Sequence, residues 1–141
     1  MSMKAKELGT TLFEECWNNK AIQLLDELLD ENHLFHLAEG DLEGISAYKE
    51  MIEPYLNALS PTFEIQHVIG EGDYAAVHYT ESGRFSKDWV TPEQTFKATG
   101  FEYKTFGVEL IRVNSSKIVE AWPGHESATH NNQIGMSTWV K

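Results

Sequence analysis

The side chains in this sequence best suited to chemistry are a few carboxylates, imidazoles and phenols that fall on apolar segments. His125 and Glu126 are adjacent at the end of the run Lys117-Ile-Val-Glu-Ala-Trp-Pro-Gly-His-Glu126, and Trp122 precedes them. Glu109 lies in an apolar strand, and His36, His78, Tyr48 and Tyr55 lie on segments that turn one face inward. A carboxylate held in an apolar cavity has its pKa raised toward neutrality, where it can take up and return a proton. A tyrosine or histidine beside it can hydrogen-bond an oxygen of a bound ligand, and together they suffice for acid–base chemistry. Glu126 is the candidate base, with Tyr48, His36 and His78 as candidate donors. Alternation leaves open whether His78 or Tyr79, and Glu126 or His125, faces the interior. Polar residues also collect at strand ends simply because ends are wet, so a structural role competes with this reading.

Other chemistries lack their residues. No Gly-rich phosphate loop and no Gly-Xaa-Ser-Xaa-Gly elbow occurs. The six histidines are scattered, and neither His33 and His36 nor His125 and His130 have further ligands at zinc spacing, so no metal or other cofactor is expected.

The elements that must position these groups follow from periodicity. Leu8, Leu12, Phe13, Cys16 and Trp17 recur at helical spacing and predict one helix over Lys4–Trp17. Leu24, Leu25, Leu28 and Leu29 predict a second, short one. Asn32–Leu37 reads as extended, with His33 and Phe35 opposing Leu34 and His36, so only one of the two histidines faces inward. Asp41 is the expected N-cap of a third helix whose stripe is Ile45, Tyr48, Ile52, Tyr55 and Leu59, with a kink or early end at Pro54. After Ser60-Pro61 the period becomes that of strands. Phe63, Ile65, His67 and Ile69 share a face, and the turn Gly70-Glu-Gly-Asp73 leads to Tyr74–Ser82. A longer hairpin follows from Gly83 to Gly100, Phe101–Val113 resumes the sheet, and Asn114-Ser-Ser turns into the last strand. There Ile118, Glu120 and Trp122 oppose Lys117, Val119 and Ala121, and Pro123-Gly124 is expected to end or bulge the ladder. Glu109 shares a face with Ile111 and Val113. Helices followed by antiparallel strands make an α+β fold, its sheet curled around a pocket.

At 141 residues the chain is expected to form one domain, and 41% apolar content is far from the signature of disorder. A net charge of −11, with 11 basic residues that form no stripe, opposes nucleic acid and anionic membrane surfaces as partners. The lone Cys16 excludes an internal disulfide and reads as core filler in a helix. Met1-Ser-Met-Lys-Ala-Lys resembles neither a signal peptide nor a membrane span, so a soluble, cytoplasmic protein is expected.

The last strand, Lys117-Ile-Val-Glu-Ala-Trp with an acid four residues after the tryptophan and then Gln133-Ile-Gly135, resembles the SnoaL-like polyketide cyclases of the NTF2-like superfamily. Glu15-Cys-Trp-Asn-Asn, the Leu24–Leu29 helix leading to His36, Leu42-Glu-Gly-Ile, Gly70–Thr80 and Gly107–Val113 extend the resemblance over most of the chain. It implies a cone-shaped α+β fold with N-terminal helices closing an apolar pocket, a homodimer, and an acid/base at the position of Glu126 for a cofactor-free aldol closure. Glu126 stands where the family has aspartate, His78 where arginine is common, and His36 where histidine is frequent. The hairpin from Gly83 to Gly100 is a few residues longer than usual and lacks a proline pair before Thr99-Gly100.

Two classes of function fit these residues. One is a small cyclase, isomerase or dehydratase acting on an apolar carbonyl compound, its pocket lined by Tyr48, Tyr55, Trp122, Glu109 and His125; the other is a non-catalytic ligand-binding or dimerisation module. Strands apolar on both faces predict a dimer through the outer face of the sheet. The apolar tail with Met136, Trp139 and Val140 is expected to dock on the sheet or across the dimer.

Overall fold

The computed structural model describes residues 2–125 and 127–136. Helix α1 (Ser2–Thr11) passes into a wider π-helical stretch, Leu12–Asn18, and the apolar stripe survives the change of pitch, with Leu12, Phe13, Cys16 and Trp17 all buried. Burial pushes the Cys16 thiol up to about 12, so it stays an inert core group at neutral pH. A short 3-10 turn (Ile22–Leu24) and α2 (Leu25–Leu28) lead into strand β1 (Leu29–Leu37).

Gly40–Glu43 is not the start of a helix but a strand, β2, antiparallel to β1, and α3 (Ile45–Leu59) begins only after Gly44. Asp41 is therefore no N-cap. Its carboxylate instead sits 2.9 Å from Nδ1 of His36, directly across the β1–β2 pair. The stripe predicted for α3 is buried from Tyr48 to Leu59, and the helix runs past Pro54 rather than stopping there. Ser60 closes it in the left-handed conformation.

The remaining strands are β3 (Thr62–Glu71), β4 (Tyr74–Arg84), the short hairpin β5 (Trp89–Val90) and β6 (Thr95–Phe96), then β7 (Glu102–Asn114) and β8 (Lys117–His125), followed by α4 (Ser127–Gln133). The main sheet has the order β2-β1-β8-β7-β4-β3. It is antiparallel except at β1 and β8, which pair in parallel, a contact between distant segments that local patterning cannot announce. Helices α1 and α3 cover its inner face, where Phe13, Trp17, Tyr48, Ile52 and Tyr55 meet Phe63, Val77, Tyr79, Ile111 and Ala121. At the far end of α1, Asn18 clamps β3 by accepting from Phe63 N at 2.7 Å and donating to Phe63 O at 2.8 Å.

Two bulges revise the predicted faces. Between Ile65 and His67 the β3–β4 register slips by one, so Val68 packs inward while Ile69 becomes 69% exposed, reversing its expected partnership with Phe63. Between Arg112 and Val113 the β7–β8 register slips at Val119, so Ile118 is buried with Ala121 while Glu120 and Trp122 lie on the other face. Pro123-Gly124 does not end the ladder: Pro123 pairs with Glu109, Gly124 with Val108 and His125 with Gly107. The last β1 partner in β8 is Ala121, so Pro123 occupies an edge position where a missing donor is tolerated. Among the described residues no helix is long and apolar enough to cross a membrane.

Candidate functional site

The inner face of β4, β7 and β8 forms one wall of a cavity of about 370 Å³, and the opposite wall comes from the helices and the β5–β6 hairpin. Phe13, Trp17, Phe35, Phe63 and Trp89 give it an aromatic lining, and Tyr55, Tyr79, Glu81, Glu109, His125 and His130 bring the titratable groups. Among the described residues no lysine or arginine lines it. A larger depression along Leu59, Ser82, Arg84, Glu102 and Lys104 is shallow and open to solvent, and none of the buried acids reaches it.

The placement of the acids follows from alternation along the strands. On β4, Ala75, Val77, Tyr79 and Glu81 share the inner face; on β7 the inner residues are Tyr103, Thr105, Gly107, Glu109, Ile111 and Val113. Val77 and Pro123 flank Glu109 on the neighbouring strands, and neither offers a side-chain donor. Its Oε2 is buried with no hydrogen-bond partner, and burial alone raises its pKa to about 8. Glu109 is thus an interior carboxyl poised near neutrality, on the face alternation predicts.

Gly107, between Tyr79 on β4 and His125 on β8, makes room for the tyrosine. A Cβ at this position would lie 2.5 Å from Tyr79 Oη and 2.7 Å from Gly124 O. Burial, then the nearby charges of Glu109 and Glu81, raise the Tyr79 phenol well above its ordinary value, which keeps it a neutral donor.

A second polar cluster lies further along the same strands. Oε2 of Glu81 accepts from Tyr55 at 2.5 Å and from Tyr103 at 2.6 Å. Tyr55 Oη is also 2.6 Å from Nε2 of His130, whose Nδ1 lies 3.3 Å from Asn131 Oδ1. Burial lowers the His130 pKa to about 4, so the ring is neutral at physiological pH, and burial raises that of Glu81 despite the two tyrosyl bonds that oppose the rise. The ring of His125 is 5.3 Å from that of His130.

The structure sorts the predicted residues clearly. Tyr55, Glu109 and His125 line the cavity. Tyr48 is buried in the core behind it, its hydroxyl accepting from Trp17 Nε1 at 3.1 Å. His36, His78 and Trp122 are on the opposite face of the sheet, which corrects their assignment to the pocket. His36 stacks on Trp122 and bonds Glu120 at 2.7 Å, and its pKa is raised first by that bond and then by Asp41. Residue 78 points outward because Tyr79 takes the inner position, and its ring stacks on His67. His33, the inward histidine of β1, is buried with neither ring nitrogen bonded. Glu126 and the tail residues Trp139 and Val140 lie outside the described residues.

Glu81, Tyr103 and His130 are members of the site that the sequence reading missed. For Glu81 a signal existed, since it shares strand parity with Val77 and Tyr79; for His130, in a short polar helix, there was none.

A family model for SnoaL-like polyketide cyclases matches residues 8–134. Among solved structures, a candidate SnoaL-like polyketide cyclase from Jannaschia sp. CCS1 superimposes with a TM-score of 0.83 at 16% identity, covering 94% of this chain and 92% of that one. A candidate polyketide cyclase from Xanthomonas campestris pv. campestris gives 0.82 at 17% identity, over 95% and 98% of the two chains. An LEH-like epoxide hydrolase from M. tuberculosis gives 0.73 at 7% identity, over 94% and 90%. No curated protein sequence shows significant similarity to the chain.

Proposed function

Because the chain belongs to the SnoaL-like polyketide cyclase family, we propose that its cavity binds a small, largely apolar carbonyl compound and performs acid–base chemistry of the cyclase or isomerase kind. The observation that carries this reading is Glu109, a buried carboxyl with an unbonded oxygen and a pKa of about 8, in an aromatic cavity of about 370 Å³. A base of that strength is half ionised close to working pH, the condition in which one group can both remove and return a proton. Tyr79, kept neutral by burial, is the available donor to an enolate oxygen, since the Tyr55 hydroxyl is committed to Glu81. With three carboxylates and no lysine or arginine among the described lining residues, the cavity favours neutral substrates over anionic ones. Aldol closure or double-bond migration consumes no redox equivalents, so these side chains suffice for it.

The test is proton exchange in D2O. Neutral cyclic ketones and hydroxyketones that raise the melting temperature are incubated with the protein, and deuterium uptake at the carbon next to the carbonyl is followed by NMR. Catalysed uptake that is lost in Glu109→Gln, with binding retained, is the expected result. Binding without any catalysed exchange would reduce the protein to a ligand-binding module.

A further inference from the structure

We infer that Glu81, His125 and His130 form a binding site for a first-row divalent transition-metal ion on the wall of the cavity. One ligand atom from each of the three lies within 4.8 Å of the other two. Two imidazoles and one carboxylate are the donor set that such ions share with few competitors, being too rich in nitrogen for magnesium or calcium. The residues come from β4, the end of β8 and α4, so only the folded chain brings them together. For that reason the spacing of the histidines along the sequence did not reveal them.

One ligand pair already stands at the span of a shared ion. Two bonds of about 2.0–2.1 Å span at most about 4.2 Å, and His130 Nε2 is 3.8 Å from Glu81 Oε2. The surrounding bonds hold the ligands as an outer shell should. Both tyrosine hydroxyls fall on Oε2 of Glu81 and hold the carboxylate beside His130. His130 Nδ1 is 3.3 Å from Asn131 Oδ1, an acceptor for the Nδ1–H that the ring carries once Nε2 holds the ion. At present the Tyr55 hydroxyl bridges Glu81 and His130 at 2.5 and 2.6 Å; the ion takes its place beside His130 while Tyr55 keeps its bond to Glu81. Both Glu81 and His130 are almost fully buried, so the site is shielded from bulk solvent yet opens to the cavity, which leaves a coordination position for a ligand. This inference does not depend on the reaction proposed above, whose base, Glu109, is not among the ligands.

The experiment uses the full chain stripped with chelator and titrated with Co2+ or Zn2+ alone. Expected are one ion per chain by calorimetry, a Co2+ absorption spectrum with nitrogen ligation, and a rise in melting temperature with metal concentration. His125→Ala, on the half-buried cavity wall, and Glu81→Gln should each abolish that ion, while Tyr103→Phe should weaken it by about tenfold through the outer shell. His67→Ala/His78→Ala, which removes the stacked histidine pair on the outer face, should leave it intact. Circular dichroism checks that each variant is folded; if Glu81→Gln is not, His125→Ala decides alone. Absence of a stoichiometric ion, or an ion that survives His125→Ala and is lost with His67 and His78, would overturn the inference.

Discussion

Glu109 and Pro123 face each other across the β7–β8 ladder, so a buried carboxyl has as its neighbour the one residue type that can offer no backbone donor. The pairing accounts for an acid with an oxygen unbonded in the interior, and it has a consequence for stability. The unfolded carboxyl ionises near 4.5, whereas in the fold it holds its proton until about 8. The native state binds more protons throughout that interval, so this group's contribution falls as pH rises from about 4.5 to about 8 and is flat beyond. Glu109→Gln should remove that slope, making the variant the more stable protein at pH 8 by roughly 1.4 kcal/mol for each pKa unit of the shift, as an upper limit. Urea unfolding of both proteins across the pH range measures the difference. Parallel curves would show that the carboxyl is not held protonated.

His33 predicts the opposite dependence. Burial lowers its pKa from 6.5 to about 4, so the stability gained by folding around a neutral ring is present above pH 6.5 and lost as the pH falls toward 4. Neither ring nitrogen has a partner, and the ring packs edge-on against Tyr48. Replacing an unsatisfied polar ring by an apolar side chain removes a desolvation cost of about 1–3 kcal/mol. His33→Leu should therefore match or exceed the wild type in stability at pH 7 and unfold at lower pH. A variant more acid-sensitive than the wild type would mean that His33 has a polar partner in solution.

How much of this was legible in the sequence depended on the range of the interactions. Alternation placed Glu109 with Ile111 and Val113, and placed only one of His33 and His36 inside, because a strand's two faces are set by local geometry. The stripe of α3 was legible for the same reason. Bulges at Gln66 and Val119 were not, since one extra residue is chosen by the partner strand's register and then inverts every face beyond it. That is how Ile69 and Trp122 came to lie outside. The parallel pairing of β1 with β8, and the meeting of Glu81 with His130, join segments with no local signature of contact.

The outer face of the sheet carries the third prediction. Ile69, Tyr74, Phe106, Val108 and Leu110 on β3, β4 and β7 are exposed by 38–69%, a set of large apolar groups that a monomer leaves wet. We propose that this face is a homodimer interface, each side chain gaining roughly 1.5–3 kcal/mol if fully covered. Sedimentation at micromolar concentration should give a dimer, and Val108→Lys combined with Leu110→Lys should give a folded monomer. A wild-type monomer under those conditions would leave the patch to some other partner.

The last prediction concerns the division of labour between Glu109 and Glu126. His125 lines the cavity at the end of β8, and Glu126 follows it in the sequence. In the resembled cyclases the acid at this position is an aspartate, and glutamate adds a methylene to its reach. A buried carboxyl such as Glu109 keeps its proton to higher pH than a free one. We propose that Glu109 removes the proton and that Glu126 assists its return. For any substrate found by the exchange assay, Glu109→Gln should abolish exchange, whereas Glu126→Gln should lower kcat and erase one limb of the pH–rate profile while leaving the melting temperature nearly unchanged. If Glu126→Gln alone abolishes exchange and Glu109→Gln preserves it, the roles are reversed and Glu109 is a structural acid. An unchanged kcat and pH profile in Glu126→Gln would remove Glu126 from the chemistry altogether.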